Sequence, residues 1–291
     1  MTFKKSLALL SAASLGLLMT TAQAAPTNPQ LSVQLWSVKD AVSADFEGTL
    51  TQLSQWGFQG VEFAGIFGKY ADNPQDLKKF LDKLHLKASA AHVPFEKFND
   101  ENFAKTVAFY KAIDCNLLII PMDKRAVTLE GAKETAKELS DIEAKLAPYN
   151  MHTGYHNHKP EMLDQATAAG ATTSWDIIAK NTPASVVLQQ DVGWTEVAGK
   201  NPIDIVKHYP GRTITTHYKA AAPEEGNKEN PIIGLDTTDW KGLITINRTV
   251  GGTKWLVIEQ EVYPDGMTPM QSVEASLKGL KKEIAELDKK K

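Results

Sequence analysis

Residues 73–92 read NPQDLKKFLDKLHLKASAAH, and the way this stretch divides decides the fold. Leu77, Phe80, Leu81 and Leu84 recur at helical spacing behind Pro74 and Asp76, which predicts a helix over 74–84. The next run, LKASAAH at 86–92, reads as a short buried strand ending in a histidine. Working outward, the same alternation continues in both directions. Strands are expected near 31–36, 60–63, 116–120, 151–157, 185–190, 212–218 and 255–261. Helical patterns lie between them at 45–56, 100–113, 128–147, 172–181, 202–208, 238–249 and 268–287. Strand then helix, eight times, is the count of an α/β (β/α)8 TIM barrel in a single domain. An open doubly wound sheet shares the alternation, but a Rossmann-type sheet carries a glycine-rich phosphate loop after its first strand, and none is present here. The longest irregular segment, AAAPEEGNKENPIIGLD at 220–236, follows the seventh strand and is a candidate active-site loop.

The chain opens MTFKKSLALLSAASLGLLMTTAQAAP. Two lysines, an apolar run and a small-x-small Ala22-Gln23-Ala24 are the parts of a secretory signal peptide cut after residue 24. The barrel is then expected over 25–291, in the periplasm or secreted, with no membrane attachment after cleavage. The apolar run is shorter than the roughly 20 residues a spanning helix needs. The single cysteine, Cys115, forbids an intramolecular disulfide and sits in the apolar CNLLII, where a buried structural thiol is expected. The formal net charge is −3 and no basic stripe is present, which argues against a nucleic-acid partner. The final LKGLKKEIAELDKKK reads as a charged, amphipathic surface helix. Oligomeric state is not legible.

A barrel places its chemistry at the C-terminal ends of its strands. Strand one ends with Gln34 and Trp36, strand two with Glu62, strand three with His92, and strand five with His156 and His158. Strand six runs into Asp191, strand seven into His217 and Lys219, and strand eight into Glu259 and Glu261; strand four supplies Pro121 and Met122. A single histidine at a strand end is more often hydrogen-bonded than ligating. A set converging on one face is different, because unpaired buried charges cost several kcal/mol each, and a cation or a polyol relieves that cost. His156, Asp191, His217 and one of Glu259 and Glu261 offer two nitrogens and two carboxylates. These suit one divalent Mn, Zn, Co or Fe ion, with Mg less natural beside imidazoles. In GYHNHKPEM, 154–162, alternation puts His152, Gly154, His156 and His158 on one face, so that His156 reaches the rim while His158 and Glu161 fall in the loop above.

YHNHKPE, QQDVGW, THYKA and IEQE, in that order, together with LSVQLWSVKD and GFQGVEFAG near the start, resemble the xylose-isomerase-like TIM barrel superfamily. The most similar group is the sugar phosphate isomerase/epimerase family, with its inosose dehydratase-like and ketose 3-epimerase-like members. The resemblance runs from about residue 31 to the end. It implies a divalent metal held by one residue from each of strands five to eight, usually Glu, Asp, His and Glu. Carried over, these become His156 in place of the usual glutamate, then Asp191, His217 and Glu259. The resemblance also implies substrate contacts at Glu62 and His92 and matches Lys219 to the lysine of the family's H-x-K-D pattern. Gln34, Trp36 and Trp194 are further expected substrate contacts, and Glu161, Glu261, His158, Lys219 and Glu62 are the candidates for proton transfer. The sequence departs from the family pattern at Ala220, where an aspartate usually follows the lysine, and at GLDTTDW, 234–240, where a GEG-like loop precedes the D-W pair.

The expected activity is therefore that of a metal-dependent sugar isomerase or epimerase, or a keto-glycoside lyase or dehydratase, working through an enediolate-type intermediate. Export favours an unphosphorylated sugar, inositol derivative or 3-keto glycoside as the small-molecule partner. Two other functions share the barrel: a noncatalytic exported sugar-binding protein, and an endonuclease IV-like hydrolase. The hydrolase would need a richer ligand set for three zinc ions and a basic groove.

Overall fold

The structure, a computed structural model, describes residues 28–221, 230–264 and 266–289. The expected signal peptide and residues 222–229 of the irregular segment after strand seven lie outside the described residues. Eight parallel strands close a barrel in sequential order: β1 (Gln30–Gln34), β2 (Gly60–Phe63), β3 (Lys87–His92), β4 (Leu117–Ile120), β5 (His152–His156), β6 (Val187–Asp191), β7 (Thr215–Tyr218) and β8 (Trp255–Ile258). Closure is made by β1 on β8, with Val33 opposite Ile258. The outer ring is α1 (Phe46–Trp56), α2 (Pro74–Lys83), α3 (Phe103–Ala112), α4 (Leu129–Leu146), α5 (Ser174–Lys180), α6 (Pro202–His208), α7 (Trp240–Ile246) and α8 (Pro269–Asp288). Their starts carry the expected caps. Asp45 accepts from Gly48 N, Thr128 from Gly131 N, and Thr268 from Gln271 N in a capping box. The last helix buries Val273, Leu277 and Leu280 and leaves its charged residues outward.

Outward-facing strand residues such as Val61, Phe63, Leu118, Ile120, Tyr155, Leu188, Tyr218 and Leu256 pack under the helices in one continuous core. The barrel interior is a separate small cluster of Ala90, Ile119 and Val187, against which Leu117 and Ile214 pack. Gly154 belongs to this layer for a steric reason: a Cβ there would lie 2.5 Å from Val187 O and 2.7 Å from Ile119 Cδ1. Above this plug the inward positions turn polar. Register then sets neighbours across the rim: Gln34 opposite Glu62, His156 opposite Gln189, and Asp191 opposite His217. Cys115 is fully buried, and burial pushes its thiol well above the ordinary range, in keeping with a structural role.

Several local features differ from expectation, three of them with a visible cause or consequence. The first strand stops at Gln34 rather than 36, because the Gln34 side chain accepts from Trp36 N and starts the 3-10 turn Leu35–Val38. The eighth stops at Ile258 rather than 261, because Gln260 N donates to Ser37 Oγ at 2.9 Å and leaves the sheet. An antiparallel hairpin, Gln165–Thr167 with Gly170–Thr172, stands between β5 and α5, where no strand is expected; its turn uses Gly170 at φ +120°.

Candidate active site

The C-terminal mouth of the barrel holds a cavity of about 510 Å³ lined by His92, His156, His158, Glu259, Glu261, Trp36, Pro94, Lys97, Pro121 and Met122, with Ala64 and Gly65. A second cavity of about 550 Å³ opens where the strands begin, beside Lys87, His152 and Trp255. Its Lys78 pairs with Asp82 and Asp114, and chemistry in this fold belongs to the other end.

At the floor of the mouth His156, Asp191, His217 and Glu259 bring four ligand atoms within 4.8 Å of one another, all from buried side chains. His217 Nδ1 lies 3.1 Å from Glu259 Oε2, and His156 Nε2 lies 3.9 Å from Asp191 Oδ2. Asp191 is held on its other side. Its N donates to Asn157 Oδ1 at 2.8 Å, and its Oδ1 accepts from Trp194 N at 2.7 Å. Its Oδ2 is buried without a hydrogen bond, the nearest cation being Lys219 Nζ at 3.4 Å. Burial raises its carboxyl to about 7, against Lys219 and with the help of Glu259. An orphaned carboxylate oxygen beside two imidazoles and a second carboxylate is the arrangement a divalent cation satisfies.

Beneath this cluster lies a polar network. Glu62 Oε1 accepts from Gln34 Nε2 at 2.7 Å and pairs with His217 Nε2 at 2.6 Å and His92 Nε2 at 3.0 Å. Its Oε2 accepts from Gln189 Nε2 at 2.8 Å. Burial opposes ionisation of Glu62, but His217 and His92 overcome it and hold the carboxyl at about 2. Desolvation works against the His217 cation too, and the two glutamates raise it to about 10. Burial drives His156 the other way, well below the usual histidine range, so its ring is neutral.

The structure therefore sorts the expected residues. His92, His156, His158, Glu259, Glu261 and Trp36 share one cavity. Lys219 is buried behind the lining, paired to Glu261, 3.6 Å from Glu259 and 4.5 Å from the Trp194 ring centroid. Other expected residues lie away from the cavity lining. Glu62 and Gln34 do not line the cavity: both are fully buried, and Glu62 spends both oxygens on neighbouring side chains. Glu161 is not at the mouth. Its Oε1 accepts from Tyr155 OH at 2.9 Å and its Oε2 from His158 N at 3.0 Å, so it fixes the loop carrying His158. Of the candidate loop, residues 222–229 lie outside the described residues; among the described residues none of 230–240 lines the cavity, and Trp240 packs on Tyr218 and bonds Asp236. Two residues not expected in the site are Gln189 and Asn157. Gln189 sits two positions before Asp191 on the same strand, and a period of two places both on the inward face, which is the signal that could have found it.

No family model matches the chain. Over 264 residues it is 22% identical to an inosose dehydratase of Lacticaseibacillus casei, covering 78% of this chain and 85% of that one. Among solved structures it is similar to a sugar phosphate isomerase/epimerase from Parabacteroides distasonis, with a TM-score of 0.71, 20% identity, and coverage of 89% of this chain and 97% of that one. It is also similar to an IOLI protein with a bound zinc atom, at TM-score 0.64 and 15% identity, covering 90% and 98%. The chain shares the closed barrel fold of these structures.

Proposed function

We propose that the protein is a metal-dependent enzyme that moves a proton beside the carbonyl of an unphosphorylated sugar or keto-sugar derivative, with isomerisation, epimerisation or elimination as the outcome. The observation that carries this reading is the buried His156, Asp191, His217 and Glu259 cluster, with its orphaned Asp191 Oδ2, at the floor of a cavity bearing acid–base groups. These four residues would hold one divalent ion of the Mn, Zn, Co or Fe type. Such an ion supplies Lewis-acid polarisation of a carbonyl oxygen.

The protein's own groups cover the proton transfers. His158 lines the cavity, and its Nδ1 has no hydrogen-bond partner. Burial lowers its pKa, so the neutral ring is ready to accept a proton at neutral pH. Burial opposes the Lys219 charge, but Asp191, Glu259 and Glu261 more than offset it, so Lys219 remains an ammonium. It orients Glu261, which stands at the rim as the second proton-transfer group. Trp36, 44% exposed with Lys39 Nζ 3.9 Å over its ring, offers an apolar platform to a sugar face.

The cavity wall favours a neutral substrate. Among its described lining residues Lys97 stands against Glu259 and Glu261, and the buried Lys219 is already paired to both glutamates, so no cluster of free cations is set to receive a phosphate. The inosose dehydratase relatives carry names that fit a polyhydroxylated keto ring. Export by way of residues 1–24 belongs to the same proposal, and cell fractionation with N-terminal sequencing of the mature chain tests it. The test of chemistry is incubation of the metal-loaded protein in D₂O with inososes and 3-keto glycosides. The expected result is deuterium at the carbon beside the carbonyl, or loss of water across that bond. Sugar binding with no carbon-bound exchange across the panel would support a noncatalytic binding barrel instead.

A further inference from the structure

Gln189 is fully buried in the middle of β6 and makes four contacts with its side-chain amide. Nε2 donates to Glu62 Oε2 at 2.8 Å and faces Thr215 Oγ1 at 3.4 Å. Oε1 lies 2.8 Å from His92 Nε2 and 3.1 Å from His156 Nδ1. The orientation of the amide is dictated by chemistry. A carboxylate can only accept, so the NH₂ end must face Glu62; turning the amide over would set a carbonyl oxygen against a carboxylate oxygen. The carbonyl end then faces two imidazoles and has no hydrogen to give. Both His92 Nε2 and His156 Nδ1 must therefore carry the hydrogen. A neutral imidazole protonated at Nδ1 keeps its lone pair on Nε2, and Nε2 is the atom of His156 turned toward Asp191.

We infer that Gln189 is a positioning residue that locks His156 in its Nδ1–H tautomer and so aims the Nε2 lone pair at the Asp191–Glu259 side of the site. The chain of constraint runs from Gln34, His92 and His217, which hold Glu62, through Glu62 to the Gln189 amide and on to the ring. This is the work of partners behind a ligand, which set its tautomer and basicity and typically change metal affinity by about 10- to 100-fold when lost. The use of that lone pair on a metal rests on the function proposed above; the tautomer does not.

The test separates the two. Long-range ¹H–¹⁵N spectra of the metal-free protein, with the His156 signals assigned by their absence in His156→Ala, report which ring nitrogen is protonated. The expected pattern is a protonated Nδ1 and a bare Nε2 in the native chain. A proton on Nε2 overturns the inference, and this native spectrum decides even if no Gln189 variant folds. In Gln189→Leu, which has similar bulk and cannot accept, His156 is expected to lose the single Nδ1–H form. Its affinity for Zn²⁺, read by chelator competition, is expected to fall by about 10-fold or more. An unchanged tautomer in Gln189→Leu, or Zn²⁺ affinity within about twofold of a Zn²⁺-binding native chain, overturns the role given to Gln189. If the native chain takes up no Zn²⁺, the metal reading of His156 fails, and the tautomer spectra alone still decide for or against Gln189.

Discussion

Glu62 pairs with His92 and His217 and accepts from Gln34 and Gln189, with no surface facing water. Its replacement by leucine removes a buried charge and strands the N–H groups of two histidines and two amides. Breaking one side of such a network costs about 3–5 kcal/mol. We expect Glu62→Leu to lose about that much in urea unfolding, and a loss under about 1 kcal/mol would show that the network contributes little. This residue also marks the limit of reading sites from sequence. That Glu62 points inward follows from its place at a strand end. That its oxygens are already used depends on residues 28, 127 and 155 positions away, and nothing local records it. The placement of Glu161 is hidden for a related reason: its partners Tyr155 and His158 are close in the chain, but the fold of the loop decides which way its carboxylate turns. His156, Asp191, His217 and Glu259 were legible because each needs only the strand period and a strand end to be placed.

At the scale of elements, strand and helix positions follow hydrophobic period and caps, and most boundaries came within a residue or two of expectation. The exceptions have local causes that composition hides. Gln34 ends its strand by folding its amide back on Trp36 N, and Ser37 draws Gln260 out of β8. The hairpin in QATAAGATT has small residues and no apolar alternation, so it lacks the signal by which strands are read. Inside the barrel the deciding feature is volume. Gly154 leaves the space that Ile119 and the Val187 backbone fill. Gly154→Ala should force these strands apart and destabilise the fold by about 1–3 kcal/mol. Thermal and urea unfolding would check this, and an alanine variant as stable as the native chain would show that β5 and β6 can separate freely. Because Gly154 lies one inward step below His156, weakened metal uptake in the same variant is expected.

Across the whole molecule, four strands, β5 to β8, bring His156, Asp191, His217 and Glu259 into one buried cluster, which the proposed ion would bridge. Closure of the barrel brings these residues together, since they are spread over more than a hundred positions of sequence. Anything that binds the folded chain alone stabilises it, by about 2.7 kcal/mol at 100 times its dissociation constant, so chelation should lower the melting temperature of the native protein and metal should restore it. The most direct measurement is metal content per chain of the native protein, His156→Ala and His158→Ala, purified alike and loaded with Mn²⁺ or Zn²⁺. The account predicts one ion in the native chain, little or none in His156→Ala, and full content with lowered turnover in His158→Ala. Full metal in His156→Ala with loss in His158→Ala would contradict it.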